Sequence, residues 1–328
     1  MEITPGIHQI KVPLQNNPLG YVNAYLIQGT DGWTLVDTGW NAEESFSAFE
    51  SQVKNIGLNF KDIKLIIITH IHPDHFGLAG RIKQLSGAEL ALHRIEQAFI
   101  DSRYLWTDLL LQDMGNWLRN NGAPESDLPN LQGASMGMLK LVALSIPDRA
   151  LFGGETISTG IFDLRVLWTP GHSPGHVCLY EPEKKILFAG DHVLPVTTPN
   201  ISLHVQSGDN PLRDYIESLK SLQNLDVELV LPAHEHTFTN LRERIKEILA
   251  HHDARAAVIV AAIEDVPKTA YQISAEIPWV EGLVKWDDLG ALDKRVAMTE
   301  TLAHLEALRI ENKVEKVEKE QSIFYKAA

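Results

Sequence analysis

The sequence predicts an α/β protein, layered sheets with covering helices, carrying a helical insertion and followed by a small helical module. Three observations carry this. The chain opens on short strands and then alternates strand with helix. Several apolar runs end in a Gly or Pro turn and then a His or Asp. Helical composition replaces strands at about 94–145 and again past about 240. With 328 residues, 44% of them hydrophobic, the chain has ample material for a large core, and it divides into 1–240 and 241–328.

The elements follow in order. Residues 7–13, 21–28 and 33–37 are β-branched and aromatic, broken by NNPLG and GTDG, and read as antiparallel strands. Residues 42–56 read as a helix ending before Gly57. KLIIIT is a continuous apolar run, as expected of a central strand covered on both faces. A helix over 76–86 and the strand AELALH follow. The insertion at 94–145 is rich in Leu, Met and Trp, with a polar break at NNGAPESDLPN. Strands resume at TIS, LRVLWT, VCLYEP, KILFAGD and VELVLPAH. Residues 241–263, 269–276 and 290–308 suggest three helices, and LRIENKVEKVEKEQSIFYKA alternates like a hairpin with a charged tip. Three helices and a hairpin suggest a winged-helix module.

Bulk properties exclude some functions. The net charge of −14 disfavours long-range attraction to nucleic acid or anionic membranes. Residues 241–328 hold 13 Lys and Arg against 16 Asp and Glu, which does not describe a helix that reads DNA or RNA. The single cysteine, Cys178, rules out a disulfide framework or a thiolate metal site and sits among core-type neighbours. MEITPGIHQI lacks a basic segment followed by an apolar stretch, and no apolar run approaches a bilayer's span. A cytoplasmic protein without membrane contact is expected.

The chemistry concentrates in LIIITHIHPDHFG. His70, His72, Asp74 and His75 follow a strand, with Pro73 and Asp74 suited to the first turn of a helix. An extended turn can point His70 and His72 to one side, while Asp74 and His75 face a neighbouring point. Imidazole and carboxylate are ligands that borderline divalent metals accept without thiolates. A chance match to H-x-H-x-D-H among 14 histidines is on the order of one in a thousand. His172, Asp191 and His234 also follow apolar runs and turns, which gathers them at one sheet edge as further candidates. His176 suits a supporting position, and His192 flanks Asp191.

The order THIHPDH, TPGHSPGH, GD and PAH, with VDTG before it, resembles the metallo-β-lactamase superfamily in its glyoxalase II-like branch, over roughly residues 7–240. The resemblance implies a four-layer αββα sandwich with a binuclear metal site at one edge. It implies that His70, His72 and His172 hold one ion, that Asp74, His75 and His234 hold a second, and that Asp191 bridges them. Asp37 is implied as an acid orienting a ligand. Zinc is the first expectation, with iron or manganese as alternatives. Two departures stand out. PAHEH replaces the common Pro-Gly-His-Gly, so His236 competes with His234. HVLPVTTPN lacks the tyrosine that lactonase members carry after the bridging acid.

Such a metal pair lowers the pKa of a bridging water from 15.7 toward about 7, giving a nucleophile at neutral pH. Asp74 is then a candidate proton shuttle as well as a ligand. His204 is a candidate to polarise a substrate carbonyl or phosphoryl oxygen. Taken singly, Trp106, Met114, Trp117, Met136 and Met138 read as packing the insertion onto the domain; taken together they suit an apolar lid, which would favour small substrates with an acyl or other apolar part. A thioester or ester hydrolase is the leading expectation. The alternative is a phosphodiesterase or endoribonuclease of the winged-helix branch, and a non-catalytic di-iron module is a third reading. The terminal module is expected to pack on the catalytic domain or on a partner subunit, as in a homodimer.

Overall fold

The computed structural model describes residues 1–279 and 284–328. Its first sheet has seven strands in chain order: β1 (Glu2–Thr4), β2 (Ile7–Pro13), β3 (Tyr21–Gln28), β4 (Trp33–Val36), β5 (Ile63–Ile68), β6 (Glu89–His93) and β7 (Arg149–Leu151). The first four pair antiparallel, and β4 through β7 pair parallel. The parallel half needs crossovers. Helices α1 (Glu43–Asn55), α2 (Pro73–Phe76) and α3 (Ala79–Ser86) supply the first two. The insertion supplies the last, as α4 (Arg94–Tyr104), α5 (Thr107–Asn120), α6 (Leu128–Gly133) and α7 (Met136–Leu139).

A second sheet holds β8 (Thr156–Ser158), β9 (Asp163–Trp168), β10 (Val177–Glu181), β11 (Ile186–Gly190) and β12 (Leu229–Pro232), in the order β12-β11-β10-β9-β8. Its one parallel pair, β11 with β12, is bridged by α8 (Pro211–Leu222). The chain closes with α9 (Leu241–Ala262), α10 (Ala270–Glu276), α11 (Ala291–Ile310) and the hairpin β13 (Val314–Lys319) and β14 (Ser322–Ala327).

The sheets stack face to face. Ile27, Val36 and Ile67 of one meet Val166, Leu179 and Phe188 of the other in a common core. Helices cover the outer faces: Phe49, Val53 and Ile82 on the first, Leu212, Leu219, Ile245 and Ile248 on the second. Each buried Leu, Ile or Phe removes enough apolar surface to contribute about 1.5–3 kcal/mol. Ile259, Ile273, Leu305, Val314 and Tyr325 of the terminal helices and hairpin form a further core, against which Trp117 of the insertion packs. Met298 of α11 joins Leu118, Leu128 and Leu131 of the insertion in another. Among the described residues no helix is long and apolar enough to cross a membrane.

Some elements differ from expectation. The helix expected at 76–86 is two, broken at Gly77 and Leu78. The helix α8 has clear start signals, Asn210 accepting from Arg213 N and Pro211 in the first turn, yet it lies in a stretch whose pattern is dominated by its flanking strands. β1 and β7 are three residues each, too short for an alternating pattern to register.

Candidate metal centre

The edge where β4, β5, β9, β11 and β12 end holds every residue of the sequence-derived ligand set. His70, His72 and His172 form one group, Asp74, His75 and His234 a second, and His70, His75 and Asp191 a third. Within each, the ligand atoms lie within 4.8 Å of one another. His72 Nδ1 stands 2.9 Å from His70 Nε2 and 3.1 Å from His172 Nε2. His234 Nε2 stands 3.3 Å from Asp74 Oδ2. Asp191 reaches all sides: Oδ2 lies 3.4 Å from His75 Nε2 and 3.5 Å from His172 Nε2, and Oδ1 lies 3.4 Å from His234 Nε2.

The opposite ring nitrogens of His70, His75, His172 and His234 are tied down, which leaves their inward ones as lone-pair donors. His172 Nδ1 donates to the Asn200 carbonyl at 2.8 Å and His234 Nδ1 to the Tyr21 carbonyl at 3.1 Å. His75 Nδ1 is 2.9 Å from Asp37 Oδ2. Asp37 also accepts from Thr69 N and Thr69 Oγ1, and Thr69 Oγ1 lies 3.1 Å from His70 Nδ1. One buried carboxylate therefore orients His75 directly and His70 through a hydroxyl. His176 sits behind the site, its Nε2 accepting from Asp191 N at 3.2 Å. Gly190, at φ 52°, permits this approach, since a Cβ there would fall 2.5 Å from His176 Nε2.

Electrostatics divide the cluster. Burial and the surrounding histidines hold His70 well below the ordinary range; burial, His172 and Arg103 do the same to His72. Burial also opposes charge on His75 and His234, but Asp191 and its fellow carboxylates outweigh it. His75 lies well above the ordinary range and His234 is pushed up to about 10. Burial would raise Asp191, yet His234 and His75 hold it well below the usual carboxylate range.

The donor set fits divalent cations. It combines imidazole nitrogens with carboxylate oxygens. His75 Nε2, His234 Nε2 and Asp191 Oδ1 are buried and make no hydrogen bond, the condition of atoms shaped to ligate. His236, the competing residue, is exposed and outside the three groups. Glu235 takes the left-handed conformation, φ 66°, that a glycine adopts freely. Its carboxylate accepts from Val196 N and Thr197 N.

A cavity of about 250 Å³ opens from this edge. His72, Asp74 and His172 form its floor, with His204, Met114, Met136 and Met138 among its walls. His204 Nδ1 accepts from Gln206 N at 3.1 Å, which puts the ring hydrogen on Nε2. Burial, then Arg103 and Arg295, push His204 down to about 3, so it is neutral. Of the five insertion residues singled out in the sequence, the three methionines line the cavity. Trp106 is 57% exposed and lines no part of the cavity, and Trp117 packs into the seam with α11.

Sequence reasoning missed Glu96. It is fully buried, and its carboxylate accepts from Ile71 N at 2.9 Å, Ser173 Oγ at 2.6 Å and Gly175 N at 2.6 Å. It thus clamps the 70–75 loop to the 172–176 loop. Nothing in HRIEQAF marks this, because both partners are distant in sequence.

A family model described as metallo-beta-lactamase superfamily matches residues 17–234. The chain is similar to a solved metallo-beta-lactamase family protein of Thermus thermophilus, at 32% identity and a TM-score of 0.85, covering 100% of both chains. That likeness therefore includes residues 241–328. It is also similar to a probable metallo-hydrolase of Bacillus subtilis (strain 168), 25% identical over 330 residues and 98% of each chain. A shorter stretch, 25% identical over 121 residues, matches an atrochrysone carboxyl ACP thioesterase of Aspergillus fumigatus, covering 37% of this chain and 36% of that protein.

Proposed function

The chain belongs to the metallo-β-lactamase superfamily and is a metal-dependent hydrolase, and from that premise we propose that it cleaves a small thioester or ester at a binuclear zinc site, in the manner of the glyoxalase II-like branch. One observation carries the binuclear reading: a three-histidine group and a mixed histidine and carboxylate group meet at Asp191, whose Oδ2 lies beside His172 of the first and His75 of the second and whose Oδ1 lies beside His234 of the second. His70, His72 and His172 would hold one ion, Asp74, His75 and His234 the other, with Asp191 shared. When bound, the ions supply an ionised water at neutral pH and polarise the bond under attack.

The chain's own residues do the rest. Asp74 borders the cavity with Oδ2 facing His234, a position suited to accept a proton from the attacking water. Neutral His204 offers Nε2–H to a carbonyl oxygen on the substrate side. The methionine-rich wall supports an apolar acyl portion. The fungal thioesterase match supports the same bond type.

The helix and hairpin order of 241–328 supports a winged-helix-like module, and its acidic balance supports a role in walling the cavity rather than in reading nucleic acid. Zinc-loaded protein is tested on short- and long-chain acyl thioesters and esters, beside phosphodiesters and single-stranded RNA. Metal-dependent turnover of the acyl panel is expected. Turnover of RNA or phosphodiesters alone, lost in His70→Ala, would overturn the proposal.

A further inference from the structure

The cavity holds two guanidinium groups that the hydrolase reading leaves without a task. Arg103 lies in the last turn of α4 and Arg295 on α11, and both line the space that begins at His72 and Asp74. Six other arginines pair with a carboxylate within 4.0 Å. Among the described residues Arg103 and Arg295 pair with none; of the four other arginines without an ion pair, Arg94, Arg165 and Arg242 are exposed, and neither these nor Arg149 lines the cavity. Arg295 Nη1 donates to the Leu131 and Gln132 carbonyls, which anchors the group without neutralising it. Asp74 is the one acid among the residues that line the cavity, and it faces His234. Burial, and then Arg103 beside it, hold the Arg295 guanidinium down to about 10. In a chain of net charge −14, two half-buried cations of like sign converging on one cavity need a counter-ion from outside.

We propose that Arg103 and Arg295 form an anion clamp, and that the substrate carries a carboxylate or phosphate held there while its apolar segment lies along Met114, Met136 and Met138. This rests on the hydrolase reading and names its substrate class: an anionic acyl compound. Guanidinium forks match both oxyanions bidentately. The two arginines come from the insertion and from the terminal module, so the clamp assembles only when both pack together, as they do around Met298. The acidic surface repels anions at long range, against which a local cationic pair lengthens the stay of an anionic substrate near the ligand edge.

The test is calorimetric binding to zinc-loaded full chain, with octanoate, octyl phosphate and octanamide as probes. At least one of the two anions is expected to bind about tenfold more tightly than the neutral amide. The tighter anion identifies the group recognised. Its preference is expected to fall about tenfold in Arg103→Gln and in Arg295→Gln, and to shrink in the wild type as salt rises. Melting temperatures show which variants are folded, and Arg103→Met serves if either glutamine variant is not. Equal binding of all three probes, or no binding of any, overturns the clamp. So does an anion preference that survives in the folded arginine variants, since the ions alone would then hold the anion. Turnover is not read here: a protein that binds anions by this clamp yet cleaves no acyl compound refutes the thioester or ester reading and leaves the clamp standing.

Discussion

The ligand edge and the cavity wall facing it are built on opposite plans. At the edge, the donors gather just beyond strand ends, and three of the histidines have the outer ring nitrogen fixed by a hydrogen-bond partner: Asp37 for His75, the Asn200 carbonyl for His172, the Tyr21 carbonyl for His234. The wall is assembled from the insertion and α11, far apart in the chain, through side-chain packing around Met298 and Leu118. It presents flexible methionines to the cavity, while Leu105, Trp106 and Leu109 of the same insertion lie exposed outside it. Hydrogen bonds to buried charge hold a geometry within narrow limits, whereas apolar packing fixes volume and tolerates exchange. The edge therefore suits the invariant chemistry of a hydrolase, and the wall suits variation in what it accepts.

Four substitutions sharpen or break that contrast. Asp191→Ala removes the acid shared by both donor groups. It is expected to lower kcat/KM by at least about 10³-fold and to cut bound metal, read by elemental analysis. Next comes Glu96→Gln, which keeps the shape but weakens the clamp between the two ligand loops. A loss of about 2–4 kcal/mol in urea unfolding is expected, with metal affinity reduced about 10–100-fold. An unchanged metal affinity would place the loops' geometry under other control. On the wall, Met136→Ala is expected to raise KM for long acyl substrates about tenfold while metal content stays at the wild-type value. An equal loss of bound metal would erase the division between edge and wall.

The smallest effect concerns the wall's anchor. His252 of α9 meets His304 of α11, Nδ1 to Nε2, at 3.3 Å in a buried seam. Burial, then His251 and Arg255, hold His252 down to about 3 against an ordinary 6.5, and His304 also lies well below it. The unfolded chain binds more protons than the folded one between these values. Their contribution is thus present above about 6.5 and is lost as pH falls toward about 3. His252→Gln is expected to flatten the acid side of a urea-midpoint profile relative to wild type. A profile of identical slope would remove the pair from the acid response.

The same contrast explains what is legible in the sequence. His70, His72, Asp74 and His75 lie within six positions, and His172, Asp191 and His234 each follow an apolar run, so periodicity and residue type together locate the edge. Asp37 is visible through VDTG. Glu96 is not, because its task is to join two loops that only the fold brings together. Arg103 and Arg295 carry no local signal, since their meaning depends on having no acid beside them. Trp106 shows the converse error: an apolar residue in an apolar segment reads as inward, yet it faces solvent. Helix α8 is announced by Asn210 and Pro211, but the strand ends on either side carry the stronger pattern and mask it.

In the proposed site, side chains from 70 to 234 hold two ions that share Asp191. The most direct test is zinc titration of the metal-free full chain by calorimetry, with X-ray absorption on the product. Two ions bound per chain in nitrogen and oxygen coordination are expected, falling to one or none in Asp191→Ala. Fewer than two in the wild type, or two retained in that variant, would contradict it.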